Sequence, residues 1–279
     1  MSYLRTALLL GFLTGILLAI GWLWQGMFGM TVFLGIAFVM NFLAYWFSDK
    51  IVLAMYRAKP LQKSEEPKLH KVVENLSKEM GIPKPKVYFV NLPAPNAFAT
   101  GRNYKNAAIA VTAGLLKNLN DEEIEGVISH ELSHVKNRDT LTSTIAATIA
   151  GAIAYIAQIA WYSLFMGGER KQSGGLIFLP LLLLAPIAAM LIQLAITRTR
   201  EFAADRTGAL TSKKPLDLAS ALEKISKVAK QNPIAGNDAT AHLFIVNPFK
   251  EDVLMSLFST HPPVESRIAK LKELAKELK

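Results

Sequence analysis

The segment Asp121–His134 reads DEEIEGVISHELSH and decides how the rest of the chain is interpreted. Its apolar residues recur at helical spacing, and three acids in its first turn oppose the positive end of a helix dipole. On this predicted helix the two histidines of His130-Glu131-Leu132-Ser133-His134 share one face, where both imidazoles can reach one tetrahedral Zn²⁺. Beside them, the Glu131 carboxylate can take a proton from an attacking water and pass it to the leaving amine. The pattern predicts zinc-dependent hydrolysis, and a buried histidine pair without metal is the alternative.

Three runs without any charged side chain surround this helix. They are Thr6–Ser48, Thr140–Gly168 and Gln172–Thr197. A helix needs about 20 apolar residues to cross a bilayer, so the first run can hold two spans and the others one each. We predict four transmembrane helices: two that turn near Gln25 and Gly26, one at about Leu141–Phe165 and one at about Leu176–Thr197. A cleaved signal sequence is the alternative for the first run, but no cleavage site follows it.

The cations are concentrated between and after these spans. Of 31 Lys and Arg residues, 14 lie in residues 49–139 and 14 in residues 198–279. The positive-inside rule therefore predicts that both polar segments and both termini are cytoplasmic, and it explains the net charge of +9 without nucleic acid. We predict two spans in residues 1–48 and two more in residues 141–197. The first part of a metallopeptidase domain is expected in residues 49–140 and the second part of this domain in residues 198–279. The absence of cysteine excludes disulfides and thiolate ligands.

Alternating apolar residues predict a small sheet ahead of the histidine helix. The expected strands are Lys86–Asn91, Asn96–Thr100 and Ala107–Thr112, packed beside helices. His70 falls on a helix before these strands, and we expect it at the surface. The predicted fold is a mainly α, integral membrane protein whose cytoplasmic part is an α+β, zincin-like domain with a small β-sheet.

Two histidines leave a catalytic zinc one protein ligand short, and the remaining histidines and acids are the candidates. Glu201 follows the fourth span by one turn, just as His134 precedes the third by about one turn. If these spans are neighbours, Glu201 lies near His134 at the cytoplasmic membrane surface, and Glu265 and Glu223 are the next candidates. Asp205, one turn after Glu201, can hydrogen-bond the second nitrogen of a ligating imidazole. A helical salt bridge with a nearby arginine is the alternative for Asp205.

Several motifs occur in a specific order along nearly the whole chain. They are Asn96-Ala97-Phe98-Ala99-Thr100-Gly101, then His130 to His134, then Glu201-Phe202-Ala203-Ala204-Asp205, and finally His261-Pro262-Pro263. With the predicted spans, this order resembles the HtpX family of membrane-bound zinc peptidases, which are related to the prenyl-protein endopeptidases. The resemblance implies one Zn²⁺ per chain, held by the histidine pair and Glu201, with Glu131 as the base.

The resemblance also implies features that spacing alone does not indicate. The segment Asn96–Thr100, and in it Asn96, Ala97, Phe98 and Ala99, is expected to pair with the backbone of an extended substrate. An ordinary edge strand is the alternative. His261 and Arg267 are expected near the metal and the substrate, where a donor can stabilise the oxyanion of the reaction. The alternative for His261 is a structural role at the start of the last helix.

The function that follows from the resemblance is proteolytic quality control. We expect a multi-pass enzyme of the cell membrane that cleaves damaged or misfolded membrane proteins at a cytoplasmic active site. Processing of a single lipidated or prenylated substrate and an inactive zinc-binding scaffold are the alternatives. The expected partners are polypeptide substrates and the lipid bilayer, without nucleic acid, and the oligomeric state stays open.

Overall fold

The structure is a computed structural model that describes residues 2–101, 103–139, 142–143, 146, 149–150, 153–154, 156–158, 161, 179–232, 244–246 and 262–278. In these ranges the chain is mainly helical and contains one four-stranded sheet. It divides into two units, formed by residues 1–45 with 142–196 and by residues 46–141 with 197–279. Most of the predicted third span, and His261, lie outside the described residues.

The first helix reverses its direction in the middle. Helix α1 covers Ser2–Met55, but Gln25 (φ −146°, ψ 36°) and Gly26 (φ 59°, ψ −137°) are not helical. A Cβ added to Gly29 would lie 2.2 Å from the carbonyl oxygen of Gly21. Eight residues of continuous helix would separate these two positions by about 12 Å. The chain therefore forms a helical hairpin at the turn predicted from the sequence.

Small and aliphatic side chains form the core of the first unit. Residues of the hairpin (Leu17, Ile20 and Phe33) pack with Ala146, Ile149, Ala150 and Ile153 and with Ala185, Ala189, Ile192 and Ile196. The last four belong to helix α5, Leu179–Ser212. Within the described residues, Leu183–Ser212 is long and apolar enough to cross a membrane, whereas the apolar stretch Thr14–Ile36 contains the turn at Gly26 and so belongs to both arms of the hairpin. The number of four spans stays a prediction.

The sheet of the second unit has the order β1-β2-β4-β3. Its strands are β1 Lys59–Pro60, β2 Lys86–Val90, β3 Ala97–Thr100 and β4 Ala108–Thr112. Strands β2 and β4 are parallel, and the other two pairs are antiparallel. Strand β1 was not predicted, because two residues carry no alternating pattern. Strand β3 forms one edge of the sheet.

Helices cover one face of this sheet. They are α2 Pro67–Met80, α3 Ala113–Asn118, α4 Asp121–Asn137, α6 Pro215–Gln231 and α7 Val264–Glu277. The core between them includes Val87, Ile109, Val111, Leu132 and Leu222. The expectation that His70 is exposed was wrong: its ring is buried and its Nε2 lies 3.0 Å from the carbonyl oxygen of Leu61. An imidazole there ties α2 to the segment that contains β1.

The start of α4 is fixed by a capping box and by helix α6. Asn120 Oδ1 accepts a hydrogen bond from the Glu123 amide, and Glu123 accepts one from the Asn120 amide. The Glu123 carboxylate also accepts from Ser220 Oγ at 2.7 Å and lies 2.7 Å from Lys224 Nζ. One buried carboxylate thus joins two helices at the end of α4 opposite to the histidines.

Candidate metal centre

A close backbone contact brings α5 against α4 at the first histidine. A Cβ added to Gly208 would lie 2.9 Å from the amide nitrogen of His130 and 3.0 Å from its Cα. Ser129 Oγ donates a hydrogen bond of 2.8 Å to the carbonyl oxygen of Gly208. Only a residue without a side chain permits this approach. Because Glu201 and Asp205 lie on the same helix as Gly208, the contact places them beside His130.

Three potential ligands converge between these helices. The Nε2 atoms of His130 and His134 lie 3.1 Å apart. Glu201 Oε1 lies 3.2 Å from Nε2 of His134, and Oε2 lies 3.7 Å from Nε2 of His130. One ligand atom from each residue lies within 4.8 Å of the others. The three residues predicted as zinc ligands therefore form one group.

The second nitrogen of each imidazole faces a different carboxylate. Nδ1 of His130 lies 2.9 Å from Asp205 Oδ1, and Nδ1 of His134 lies 2.9 Å from Asp139 Oδ2. An ionised carboxylate can only accept a hydrogen bond, so these positions favour the tautomer of each neutral imidazole that carries its proton on Nδ1. Both Nε2 lone pairs then point at each other and at Glu201. Arg267 contacts two of these acceptors, at 3.3 Å from His130 Nε2 and 3.2 Å from Glu201 Oε2. Three acceptor atoms that converge in this way are a fitting set of metal ligands.

The charges around the imidazoles lead to the same conclusion. Around the imidazoles, the buried carboxylates are Glu131, Asp139, Glu201 and Asp205, and the buried guanidinium groups are Arg200 and Arg267. With neutral imidazoles and all four carboxylates ionised, two negative charges remain, which one divalent cation balances. Burial lowers the pKa of His134, but the hydrogen bond and charge of Glu201 raise it more, so its pKa lies above the ordinary value. The site therefore favours positive charge.

Arg267 lies at the centre of this network and is fully buried. Its Nε and NH2 atoms donate to the two carboxylate oxygens of Asp205 at 2.8 and 2.7 Å. Its NH1 lies 3.2 Å from Glu201 Oε2. Burial alone would lower the pKa of Arg267, but the charges of Asp205 and Glu201 raise it above its ordinary value. The guanidinium thus holds a ligand and the carboxylate behind His130 in fixed positions.

Glu131 connects the ligand helix to the edge strand. Its Oε2 accepts a hydrogen bond of 2.8 Å from the amide of Ala99. Burial raises the pKa of Glu131, against the opposing effect of the two neighbouring histidines. A carboxyl group with a raised pKa is suited to accept and return a proton near neutral pH.

The orientation of β3 leaves part of its backbone unpaired with the sheet. Thr112 donates its amide to the carbonyl of Asn96, so Asn96 faces β4. Because successive residues of a strand alternate, Phe98 and Thr100 also face β4, whereas the peptide groups of Ala97 and Ala99 point away from it. These outward groups lie on the side of β3 that carries Glu131.

Asn96 anchors the start of this strand. Its side-chain oxygen accepts a hydrogen bond of 3.0 Å from the amide of Ile245, and its own amide donates to Thr112 Oγ1 at 2.9 Å. The carbonyl of Ile245 accepts from Arg267 NH1 at 3.2 Å. The short segment 244–246 therefore joins the edge strand to the arginine beside the ligands, a link that sequence reasoning missed.

Together, these features define the class of protein. A helix that carries His-Glu-x-x-His, a glutamate from a second helix and an adjacent edge strand are the arrangement of a metallopeptidase. The sequence profile of peptidase family M48 matches residues 63–275, and the chain belongs to this family.

Similar proteins extend the family assignment to almost the full length of the chain. The chain is 53% identical to the protease HtpX homolog of Thermococcus sibiricus, over 99% of this chain and 97% of that protein. It is also 53% identical to the homolog of Pyrococcus furiosus, with the same coverage. The predicted resemblance to the HtpX family is confirmed. The protein is a metalloprotease, and the metal of this family is generally zinc. Its relatives and its apolar helices indicate a membrane protein.

A solved structure supports the fold. The crystal structure of Ste24p from S. mikatae matches with a TM-score of 0.59 and 20% sequence identity. The match covers 95% of this chain but only 62% of that one. At this identity the likeness supports the architecture alone.

Proposed function

We propose that this metalloprotease is a multi-pass enzyme of the cell membrane that cleaves damaged or misfolded membrane proteins at a cytoplasmic active site. The observation that supports it best is the hydrogen bond of 2.8 Å between Glu131 and the Ala99 amide. Glu131 lies between the three candidate ligands and a strand with outward peptide groups, which supports its proposed role as the base. Backbone recognition accepts many sequences, which suits an enzyme with varied substrates.

In this proposal His130, His134 and Glu201 hold the zinc. When bound, zinc lowers the pKa of water toward neutrality and polarises the substrate carbonyl. Glu131 removes a proton from the attacking water and delivers it to the leaving nitrogen. Its raised pKa favours the uptake of this proton, because the protonated form is less costly than the charged form in a buried site.

The edge strand positions the substrate for this reaction. An extended substrate would add to β3 as a new strand through the peptide groups of Ala97 and the carbonyl of Ala99, whose amide already donates to Glu131. The Phe98 side chain lies on the face of the strand opposite to the Ala97 and Ala99 side chains, where it packs on Tyr56 with ring centroids 5.4 Å apart. Asn96 contributes by fixing the start of the strand, so we assign it a positioning role rather than direct contact with substrate.

Three further residues complete the proposed site. Arg267 is fully buried against Asp205 and Glu201, and we propose that it holds these carboxylates rather than the substrate. Asp205 in turn holds the ring of His130. His261 lies outside the described residues, and a role in stabilising the oxyanion stays a proposal.

The membrane arrangement rests on the charge distribution of the sequence. Four spans with both large polar segments in the cytoplasm satisfy the positive-inside rule. Reporters fused after Lys279 and inserted near Lys63 should both read cytoplasmic, and one near Lys171 should read on the opposite face. A signal from the outer face at Lys63 would reverse the orientation and the pool of available substrates.

Substrate trapping with Glu131→Gln tests the proposed function. The variant should keep stoichiometric zinc and its fold while cleavage falls by about 10²- to 10⁴-fold, since the ligands remain and the base is lost. Glu122→Gln, an exposed acid on the same helix, is the matched control. Near-normal cleavage by Glu131→Gln would refute the assignment of the base.

The proteins captured by the trap distinguish the proposed role from its alternatives. Quality control predicts many membrane proteins, enriched after treatments that damage them. A single captured protein would instead indicate specific processing. A wild-type protein that binds zinc and cleaves no membrane-protein substrate would indicate a scaffold.

A further inference from the structure

A buried carboxylate lies behind the second histidine. Helix α4 ends at Asn137, and Arg138 follows in a left-handed conformation with φ 57°. The next residue, Asp139, is only 3% exposed. Its Oδ2 lies 2.9 Å from Nδ1 of His134, the ring nitrogen that does not face the ligand cluster. The end of the histidine helix therefore contributes a partner for its own second imidazole.

An arginine from the ligand helix holds this carboxylate. The Arg200 side chain is 3% exposed, and its Nε and NH2 atoms contact Asp139 Oδ1. The same NH2 donates a hydrogen bond of 2.7 Å to the carbonyl of Asn137. Each oxygen of Asp139 thus has a different partner, one an imidazole and the other a guanidinium. Arg200 immediately precedes Glu201 on α5, so one helix delivers both a ligand and the support of another ligand.

The first histidine has a support of the same composition. His130 faces Asp205, whose two oxygens are bound by Arg267. Each imidazole therefore contacts a carboxylate that is in turn bound by an arginine, although the two sets of contacts use different helices. Two independent copies of one arrangement at the two ligands are unlike a chance salt bridge.

We propose that Asp139 and Arg200 are positioning residues for the metal. Asp139 holds the ring of His134 with its proton on Nδ1 and its Nε2 lone pair toward the ligand cluster. Arg200 keeps the Asp139 carboxylate oriented through charge-assisted hydrogen bonds. The docking of α5 then sets Glu201 and His134 together. This inference rests on the proposed zinc-dependent function.

A merely structural role would have different consequences. If Asp139 and Arg200 only join the end of α4 to α5, their loss lowers thermal stability and leaves the ligands of the folded protein unchanged. A positioning role predicts weaker metal binding and altered metal geometry in protein that is still folded. Measurements of the metal itself therefore separate the two roles.

The test uses the full-length protein in detergent, with Asp139→Asn, Arg200→Gln and the double variant. The double variant leaves no unpaired buried charge, so it keeps the test decisive where Asp139→Asn alone does not fold. Arg206→Gln is the control, because this arginine lies on α5 but is 64% exposed and pairs with Glu277. Zinc affinity is measured by chelator competition, metal geometry by the visible spectrum of the Co²⁺ form, and stability by melting.

We expect Asp139→Asn to weaken zinc binding by about 10- to 100-fold and to change the Co²⁺ spectrum. The double variant should resemble it, since both residues act through one imidazole, and Arg206→Gln should match the wild type. Wild-type affinity and spectrum in folded Asp139→Asn or in the double variant would overturn the inference, even with a lower melting temperature. A wild-type protein that binds no zinc would instead overturn the proposed function.

Discussion

Gly208→Ala should weaken metal binding without touching a ligand. The new Cβ would lie 2.9 Å from the His130 amide nitrogen and 3.0 Å from its Cα. Carbon contacts are normally about 3.5–4.0 Å, so α5 must move away from α4 by about 0.5–1 Å. Zinc sites keep their ligand distances within about 0.2 Å. A shift of this size therefore carries Glu201 out of the range in which it can bind together with both histidines.

The expected magnitude follows from this displacement. Overpacking should lower the free energy of unfolding by about 1–3 kcal/mol, offset by up to about 1 kcal/mol because alanine favours a helix more than glycine does. Zinc affinity should fall by about 10- to 100-fold, as it does when the support of a ligand is lost. Chelator competition measures the affinity, and thermal unfolding by circular dichroism measures the stability.

Gly126→Ala is the matched control for this substitution. Its Cβ would lie 3.0 Å from the amide nitrogen of Leu218 and 3.1 Å from its Cα, so it overpacks α4 against α6 instead of α5. Both variants should lose stability, but only Gly208→Ala should lose zinc affinity. Equal zinc affinity in the two variants would refute the idea that the α4–α5 contact sets the ligand geometry.

Three further substitutions test separate parts of the site and fold. Glu201→Gln should lower zinc affinity by more than about 100-fold in metal titrations, and full retention would assign the third ligand to another carboxylate. Glu123→Gln should lower the free energy of unfolding by about 1.5–3 kcal/mol at pH 7. Burial raises the pKa of Glu123, but Lys224 and the capping contacts lower it more. This stabilisation should therefore be present above about pH 4.3 and disappear on acidification through the lower pKa of the folded state. A pH-independent difference in melting temperature between the variant and the wild type would contradict it. His261→Ala should lower turnover by about 10²- to 10³-fold with zinc retained, and unchanged turnover in folded protein would remove His261 from the site.

The pairing of the two candidate histidine ligands could be predicted because helical spacing carries their geometry. Two histidines four residues apart can reach only one side of a helix, and Glu131 between them follows from the same pattern. The edge strand containing Phe98 was predicted from alternation, with a start one residue earlier than observed. The hairpin turn at Gly26 was predicted because the first charge-free run is long enough for two spans, which must be joined by a turn at the membrane surface.

Asp205 was predicted beside an imidazole from its helical spacing, but the contacts of Asp139 and Arg200 could not be predicted, because they depend on a local turn and on segments distant in sequence. Asp139 follows the histidine motif by five residues, but only the left-handed turn at Arg138 brings it beside an imidazole. In the sequence, Arg200 is only one of several cations next to a predicted span. Its burial becomes apparent only when α5 packs on α4. Arg267 was expected near the metal from the family resemblance. Its hydrogen-bond partners could be identified only from the structure.

One stripe of α5 explains how segments so far apart in sequence form one centre. Glu201, Asp205 and Gly208 are spaced by four and three residues and therefore share a helical face. Along this face the first supplies a candidate ligand, the second lies 2.9 Å from the ring of His130, and the third allows the backbone of α5 to approach α4. A larger residue in the third position would separate the first two from the histidines. The glycine thus belongs to the metal centre as much as the carboxylates do, although it offers no ligand atom.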